Sequence, residues 1–441
     1  MEHAGTAPAG GGLDSGVGAA SSVFGRPVPR LDRHLSQQAC VAGWVAATVL
    51  FLLLSGTWYH LGGLPGDAAE SAVPAVAIAH GEFRCAYPPR VRSSVPPLYP
   101  VVAGGVMAVT GIGRSGLPPA WVSTSGCRVP PSKVDVHHGA VRPVLLLGVL
   151  GWPVLLAGFV GLLRAAGRGR NGWEVLGVCL VGCLPQVAAP LVQFFHPEDL
   201  LAMGLILGAL ATATRSRWVA TGALIGLACC AKQYAMLAGV PLLVAVPHRQ
   251  RLRFVVAALV AAMAVVIPFG LLVGRGMYLA LIGADATSAG TGTLVGGLHL
   301  TGASLVVVSR ILPLALAALL AGWARWRLPQ ALCDPVPLVA LVAGSLALRL
   351  VFEVSLYDYY FMALCVSLVT LDMVAGRLRR ETIAWIIVAA AFFPPVYDHL
   401  VPVEMAHPLP VQLALVVSGL AIGLVPLAGA RRSGPPDAAA G

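Results

Sequence analysis

Apolar runs, several of them as long as the roughly 20 residues that a helix needs to cross a bilayer, follow one another between residues 38 and 430. Of the 441 residues, 57% are hydrophobic and only 11% are charged, whereas a soluble globular domain is about 25% charged. Such a chain cannot keep its surface in water, so we predict an all-α polytopic membrane protein. The composition excludes a cytosolic enzyme, a disordered protein and a secreted disulfide scaffold.

Three regions of different composition divide the chain. Residues 1–34 are rich in Gly, Ala, Ser and Pro without an apolar period, which predicts a disordered N-terminus. Residues 35–430 form the membrane body, and residues 431–441 form a flexible tail. The first apolar run is long enough to span the bilayer, so we expect it to remain as an anchor and not to be removed as a signal peptide.

The apolar runs predict about twelve transmembrane helices. They lie near 38–60, 141–163, 174–194, 199–213, 217–231, 233–247, 252–274, 301–323, 335–352, 359–375, 382–394 and 409–430. A further stretch, 97–112, is short, opens on prolines and contains three glycines. Whether this stretch crosses the membrane decides the orientation of every later helix.

Arginine clusters favour an orientation in which 97–112 lies in the interface. The clusters beside the spans are Arg26/Arg30/Arg33, Arg164/Arg168/Arg170, Arg215/Arg217, Arg249/Arg251/Arg253, Arg325/Arg327, Arg377/Arg379/Arg380 and Arg431/Arg432. If 97–112 does not cross, all of them face the cytoplasm, as the positive-inside rule requires. We therefore expect a plasma-membrane protein with both termini cytoplasmic and a first external loop at 61–140 that carries short interfacial helices. The net charge of +10 then reflects orientation and does not indicate nucleic-acid binding.

Most of the remaining polar residues gather on the predicted outer side. They include His196, Glu198, Asp199, Lys232, Gln233, Glu353, Tyr359 and Tyr360. An ionisable group at membrane depth costs about 2.5–3.5 kcal/mol on insertion scales and usually marks a pathway or a site. A polar, acid-bearing cavity at the outer leaflet explains this distribution.

Two acidic segments have both a structural and a functional interpretation. Asp67 directly follows the first span, and with Glu70 three residues later it resembles a capping box; either carboxylate could also project into a cavity. The run at 196–199 (HPED) joins two apolar helices and is typical of a helix start. Three titratable groups in such a short corner exceed what capping requires, so we also consider a substrate-binding role.

Three cations are candidates for binding an anion. Lys232 is one of only two lysines in the chain, and it either snorkels, pairs with a carboxylate or attracts a phosphate. Arg349 and Glu353, four residues apart, either pair with each other on a helix face or contact a ligand. Arg310 either pairs with a neighbour inside the bundle or binds the same phosphate.

The cysteines predict one disulfide. Of nine, Cys85 and Cys127 fall in the predicted external loop, where such bonds persist, and the others show no metal-ligand spacing. There is no Walker signature and no G-x-S-x-G motif, so an ATP-driven pump and a serine hydrolase have no support.

Several of these segments together resemble membrane glycosyltransferases of the GT-C fold. The resemblance rests on the acid after the first span, the turn at 82–89 (EFRCAYPP), the segment 96–100 (PPLYP) before an apolar helix, Lys232-Gln233, and Glu353 with Tyr359-Tyr360. The chain is most similar to the actinobacterial polyprenol-phosphate-mannose-dependent mannosyltransferases of family 87. It departs from them in that its two first-loop acids are three residues apart and not adjacent.

The resemblance implies an inverting sugar transfer at the outer membrane face. A hexose or pentose, mannose being the nearest expectation, would pass from a polyprenyl-phosphate donor to an envelope lipid, glycan or protein. Asp67 or Glu70 would be the base; Lys232, Arg349 and Arg310 would bind the donor phosphate; the outer polar residues would bind substrate. No cofactor is implied, and a role for a divalent metal stays open. A transporter or lipid flippase, or a non-catalytic envelope-assembly subunit, are the alternatives.

Overall fold

The computed structural model describes most of the membrane body and part of the first loop. The described residues are 68–87, 95–112, 122–123, 126–127, 138–169, 172–192, 194–274, 277, 293–329, 332, 334–354, 356–392 and 409–430. The predictions for the N-terminal segment, the span at 38–60, Asp67 and the tail at 431–441 lie outside them.

Helices make up nearly all of the described chain. The first part contains α1 (Ala68–Ala79), a 3₁₀ turn (Phe83–Cys85), α2 (Leu98–Thr110), the antiparallel pair β1 (Val122–Ser123) and β2 (Gly126–Cys127), α3 (His138–Gly148), α4 (Gly151–Ala165), α5 (Gly172–Gly182) and α6 (Pro185–Val192). In the strand pair, Val122 lies opposite Cys127 and Ser123 opposite Gly126.

The second part contains the longest helices. They are α7 (Pro197–Thr214), α8 (Trp218–Ala231), α9 (Ala235–Ala245), α10 (His248–Val273), α11 (Leu294–Gly297), α12 (Gly302–Val306), a π turn (Val307–Ile311), α13 (Leu312–Arg327), α14 (Pro335–Val351), a 3₁₀ turn (Asp358–Phe361), α15 (Met362–Ala375), α16 (Arg380–Phe392) and α17 (Leu409–Ala430).

Five helices are long and apolar enough to cross a membrane. They are Pro143–Ala165, Pro197–Thr214, His248–Val273, Gly302–Arg327 and Leu409–Ala428. Each overlaps a run that the sequence predicts to span. Apolar helices of 10–17 residues, such as α8, α9 and α14, cover further predicted runs. The described chain therefore has the architecture of a helical membrane protein.

The segment predicted as one span near 174–194 consists of two helices, α5 and α6, that meet at an angle of 51°. Pro185 begins α6, and because proline has no backbone N–H, the hydrogen-bond ladder of α5 cannot continue through it. If the bent pair counts as one span, the number of candidate spans rises to six.

Small residues let the central helices approach closely. A Cβ atom added to Gly158 of α4 would lie 2.1 Å from the carbonyl oxygen of Gly204 in α7. Likewise, a Cβ added to Gly222 of α8 would lie 2.2 Å from the carbonyl oxygen of Phe254 in α10. The backbones of these pairs are thus in direct contact, as at other small-residue helix interfaces in membranes.

The order of the helices separates the arginines between α7 and α8 from the charged residues at the other end of these helices. Helices α7 and α8 are joined by residues 215–217, so Arg215 and Arg217 lie at one end while Glu198 and Lys232 lie at the other. Helix α8 has 14 residues and spans about 21 Å. The two groups of charges therefore occupy opposite ends of the same helices, as the sequence predicts.

Candidate polar site at one end of the bundle

A strained turn between α6 and α7 positions the first polar residues of the site. Phe195 has φ 63°, a left-handed conformation that is rare for a bulky residue and costs of order 1–3 kcal/mol. Its buried ring packs edge-on against Tyr99 at 6.0 Å. Pro197 then starts α7, with Glu198 and Asp199 in the first turn. The positive end of the helix dipole stabilises carboxylates at this position.

Glu198 is fully buried and holds two partners with one oxygen. Its Oε1 accepts a hydrogen bond from Nδ1 of His196 at 2.7 Å and lies 3.3 Å from Nζ of Lys232. Because an ionised carboxylate only accepts, Nδ1 of His196 carries the proton. The second oxygen, Oε2, has no hydrogen-bond partner among the described residues.

Lys232 joins the same cluster from the end of the neighbouring helix α8. It follows α8 in an extended conformation, and Nζ lies 3.0 Å from Oδ2 of Asp199. Burial alone would lower the pKa of Lys232, yet the carboxylates of Asp199 and Glu198 hold it above its ordinary value. The ammonium is therefore charged and is matched by two carboxylates.

Arg349, near the end of α14, forms a second ion pair beside this cluster. Its Nε lies 2.6 Å from Oε2 of Glu353, which is the pairing that the four-residue spacing allows. The guanidinium also lies over the rings of Tyr234 and Tyr360, 4.8 and 4.7 Å from their centroids. Tyr234 also donates a hydrogen bond to the backbone carbonyl of Asp199 at 3.0 Å. This tyrosine therefore contacts one residue of each ion pair.

Arg310 contacts the site from a later segment of the chain. It lies in the π turn between α12 and α13, and its Nη1 donates to Oε1 of Gln233 at 2.7 Å. The residue is exposed. Among the described residues it has no carboxylate partner, unlike Lys232 and Arg349.

Aromatic rings close one side of the site. Tyr359 stacks on His196 at 4.6 Å and contacts Phe194 at 4.8 Å, with Tyr357 stacked beyond it at 5.7 Å. Tyr360 packs edge-on against Tyr359. Sequence reasoning selected Tyr359 and Tyr360 but missed Phe194 and Tyr234. Each of these two residues lies one or two positions from a predicted site residue, and this proximity in sequence could have pointed to them.

The first-loop residues are described only in part. Helix α1 begins at Ala68, directly after Asp67, but Asp67 and the side chain of Glu70 lie outside the described residues. Cys85 is disulfide-bonded; the side chain of its predicted partner, Cys127, is also outside them. Tyr87 packs edge-on against Phe269 of α10 at 5.8 Å, which ties this loop to the membrane helices.

A trio in the site has metal-ligand chemistry. His196, Glu198 and Asp199 offer ligand atoms that lie within 4.8 Å of one another. Nζ of Lys232, however, lies 3.0–3.3 Å from both carboxylates. A divalent ion in this trio would have to displace the ammonium, because the two cations would repel each other at such distances.

No model of a known protein family matches this chain, and no curated protein matches it in sequence. The class of protein that the fold and site define is a helical membrane protein with a buried polar cluster at one end of its helices.

Proposed function

We propose that the protein is an integral membrane glycosyltransferase with about twelve spans and a GT-C-like fold, which transfers a sugar from a polyprenyl-phosphate donor. One observation carries this proposal. Three cations, three carboxylates and several aromatic rings from distant parts of the chain meet at one end of the bundle. This end lies opposite the arginine clusters. A one-sided polar site beside apolar helices suits a substrate with a polar head and a lipid tail.

Arg310 is the donor-phosphate ligand in this proposal. Lys232 and Arg349 already face carboxylates at 3.0 and 2.6 Å, so their charges are matched. Arg310 meets only the neutral amide of Gln233 among the described residues and is exposed. An arginine without a carboxylate partner can bind a phosphate with two parallel hydrogen bonds.

The reaction needs one base and one site for the leaving group. The acceptor hydroxyl oxygen attacks the anomeric carbon, the bond from that carbon to the phosphate oxygen breaks, and the anomeric configuration inverts. Asp67, or else Glu70, takes the acceptor proton. Arg310 stabilises the charge that develops on the departing polyprenyl phosphate.

The direct test is transfer by the purified protein. Incubation with polyprenyl-phosphate mannose, and with polyprenyl-phosphate pentose as a second donor, should release polyprenyl phosphate and give a glycosylated product with inverted configuration. Wild-type protein that releases none from either donor, with envelope lipids and glycans supplied as acceptors, would contradict the proposal.

A transporter or flippase is the second candidate, and the bent pair α5–α6 favours it. Transporters often place their sites beside broken helices, and α6 leads directly into the turn that carries His196. The same preparation separates the two candidates. Movement of intact polyprenyl-phosphate sugar across a vesicle membrane, without release of polyprenyl phosphate, would support the transporter.

A further inference from the structure

The end of the bundle opposite the polar site carries a second charged surface, which the proposed reaction does not use. Helices α8 and α10 are parallel: Gly222 faces Phe254, Gly226 faces Ala258, and Sγ of Cys230 donates to the carbonyl of Ala262, 32 positions later. The same offset makes Arg217 level with Arg249. The arginines just before α8 and in the first two turns of α10 therefore lie at the same end of the two helices.

Four of these arginines are exposed and have no carboxylate partner in the described chain. They are Arg215, Arg217, Arg249 and Arg253, which we call the arginine surface. The first turns of α8 and α10 contain no acid. Arg251, between them, is half-buried and donates to the carbonyl of Val246, so it helps to end α9.

The acidic residues that the structure describes do not pair with the arginine surface. Between Asp199 and Asp334 the sequence has a single acid, Asp285, which lies outside the described residues. Asp334 accepts a hydrogen bond from the backbone N–H of Val336. Glu174 and Asp372 are each engaged by another arginine, at 2.7 and 2.6 Å. No carboxylate in the described part of the chain therefore forms an ion pair with the arginine surface.

The surroundings of the arginine surface indicate a lipid partner. Helix α10 continues from the arginines as a face of exposed apolar side chains, with Leu252 74% and Val260 63% exposed. A phospholipid can place its phosphate against the arginines and its acyl chains along this face. A soluble anion would use only the first of these two contacts.

We propose that the arginine surface binds the headgroup of an anionic phospholipid. Juxtamembrane arginines attract anionic lipid through charge, and the guanidinium fork adds hydrogen bonds to phosphate. Because Gly222 and Gly226 bring the two helices into backbone contact, arginines from both helices reach one headgroup. Binding here is independent of sugar transfer at the opposite end.

The test uses the full chain in vesicles of phosphatidylcholine and phosphatidylglycerol in equal amounts. After extraction in a mild detergent, the lipid that remains bound is identified by native mass spectrometry. Wild type should retain phosphatidylglycerol in preference to phosphatidylcholine. The double variant Arg217→Gln with Arg249→Gln should lower the affinity for phosphatidylglycerol about thirtyfold. Arg325→Gln with Arg327→Gln removes equal charge from α13 and should retain the lipid.

Equal losses in the two double variants would overturn the proposal, since they would indicate only a general attraction to positive charge. Retention by both variants, or no lipid preference in wild type, would overturn it as well. If a variant fails to fold, release of the lipid from wild type by salt tests the proposal without any variant. Salt should release phosphatidylglycerol because it screens exposed charges, and retention that is independent of salt would contradict the proposal.

Discussion

The ammonium of Lys232 lies 3.0 Å from Oδ2 of Asp199, where the end of α8 meets the start of the antiparallel helix α7. The same ammonium lies 3.3 Å from Glu198, whose side chain is fully buried. One cation thus holds two acids from the neighbouring helix. Its removal would leave Asp199 without an ion-pair partner among the described residues and Glu198 with only the hydrogen bond from His196.

Lys232→Met should therefore destabilise the protein by about 3–5 kcal/mol, the usual cost of removing one partner of a buried ion pair. Thermal unfolding in detergent measures this loss. Adding Asp199→Asn to the variant should restore part of the stability, since one of the two unpaired charges is then gone. An unchanged unfolding temperature in Lys232→Met would show that the acids do not depend on this lysine.

Arg310→Gln should raise KM for the polyprenyl-phosphate donor about 10- to 100-fold, because a hydrogen bond to a charged group contributes roughly 1.5–3 kcal/mol. Arg325→Gln provides the matched control, since it removes the same charge at the other end of the same helix. Donor saturation curves measure the effect. An unchanged KM would remove Arg310 from phosphate binding.

Asp67→Asn should lower the rate of transfer about 10²- to 10⁴-fold, the contribution expected of a general base. Glu70→Gln should have a much smaller effect, and the amount of folded protein should not change in either variant. Full activity in Asp67→Asn together with loss in Glu70→Gln would assign the base to Glu70. The rates follow from labelled sugar transferred at saturating donor.

Gly222→Ala should destabilise the protein by about 1–3 kcal/mol, as overpacking usually does, because the added Cβ would lie 2.2 Å from the carbonyl of Phe254. Gly322→Ala is the control: no atom lies within 4 Å of a Cβ at that position, and alanine favours the helix by about 1 kcal/mol. Equal changes in unfolding temperature would argue against close packing of α8 on α10.

The helices could largely be predicted from the sequence because apolar runs and arginine clusters directly reflect the needs of a membrane. The predicted run 335–352 became α14 (Pro335–Val351), and 409–430 became α17 (Leu409–Ala430). The pairing of Arg349 with Glu353 was also among the predicted alternatives, since a spacing of four residues on a helix is a local property.

Contacts between distant segments could not be predicted in the same way. The sequence allowed Lys232 to meet a carboxylate but could not select Asp199 and Glu198, because that choice depends on the antiparallel packing of α7 and α8. Nor could it give the partner of Arg310, which proved to be the amide of Gln233. The bend between α5 and α6 was missed because a run of apolar residues conceals the break at Pro185.

The π turn at Val307–Ile311 has a consequence for how this chain can vary in length. A π turn accommodates one more residue than an α turn over the same rise, and one residue corresponds to about 100° of rotation. Deleting a single residue before Arg310 would restore regular α geometry and leave the downstream face of α13 in place. The upstream segment Gly302–Val306 would keep its orientation as well, so the chain can lose one residue here without changing which of its side chains point to lipid.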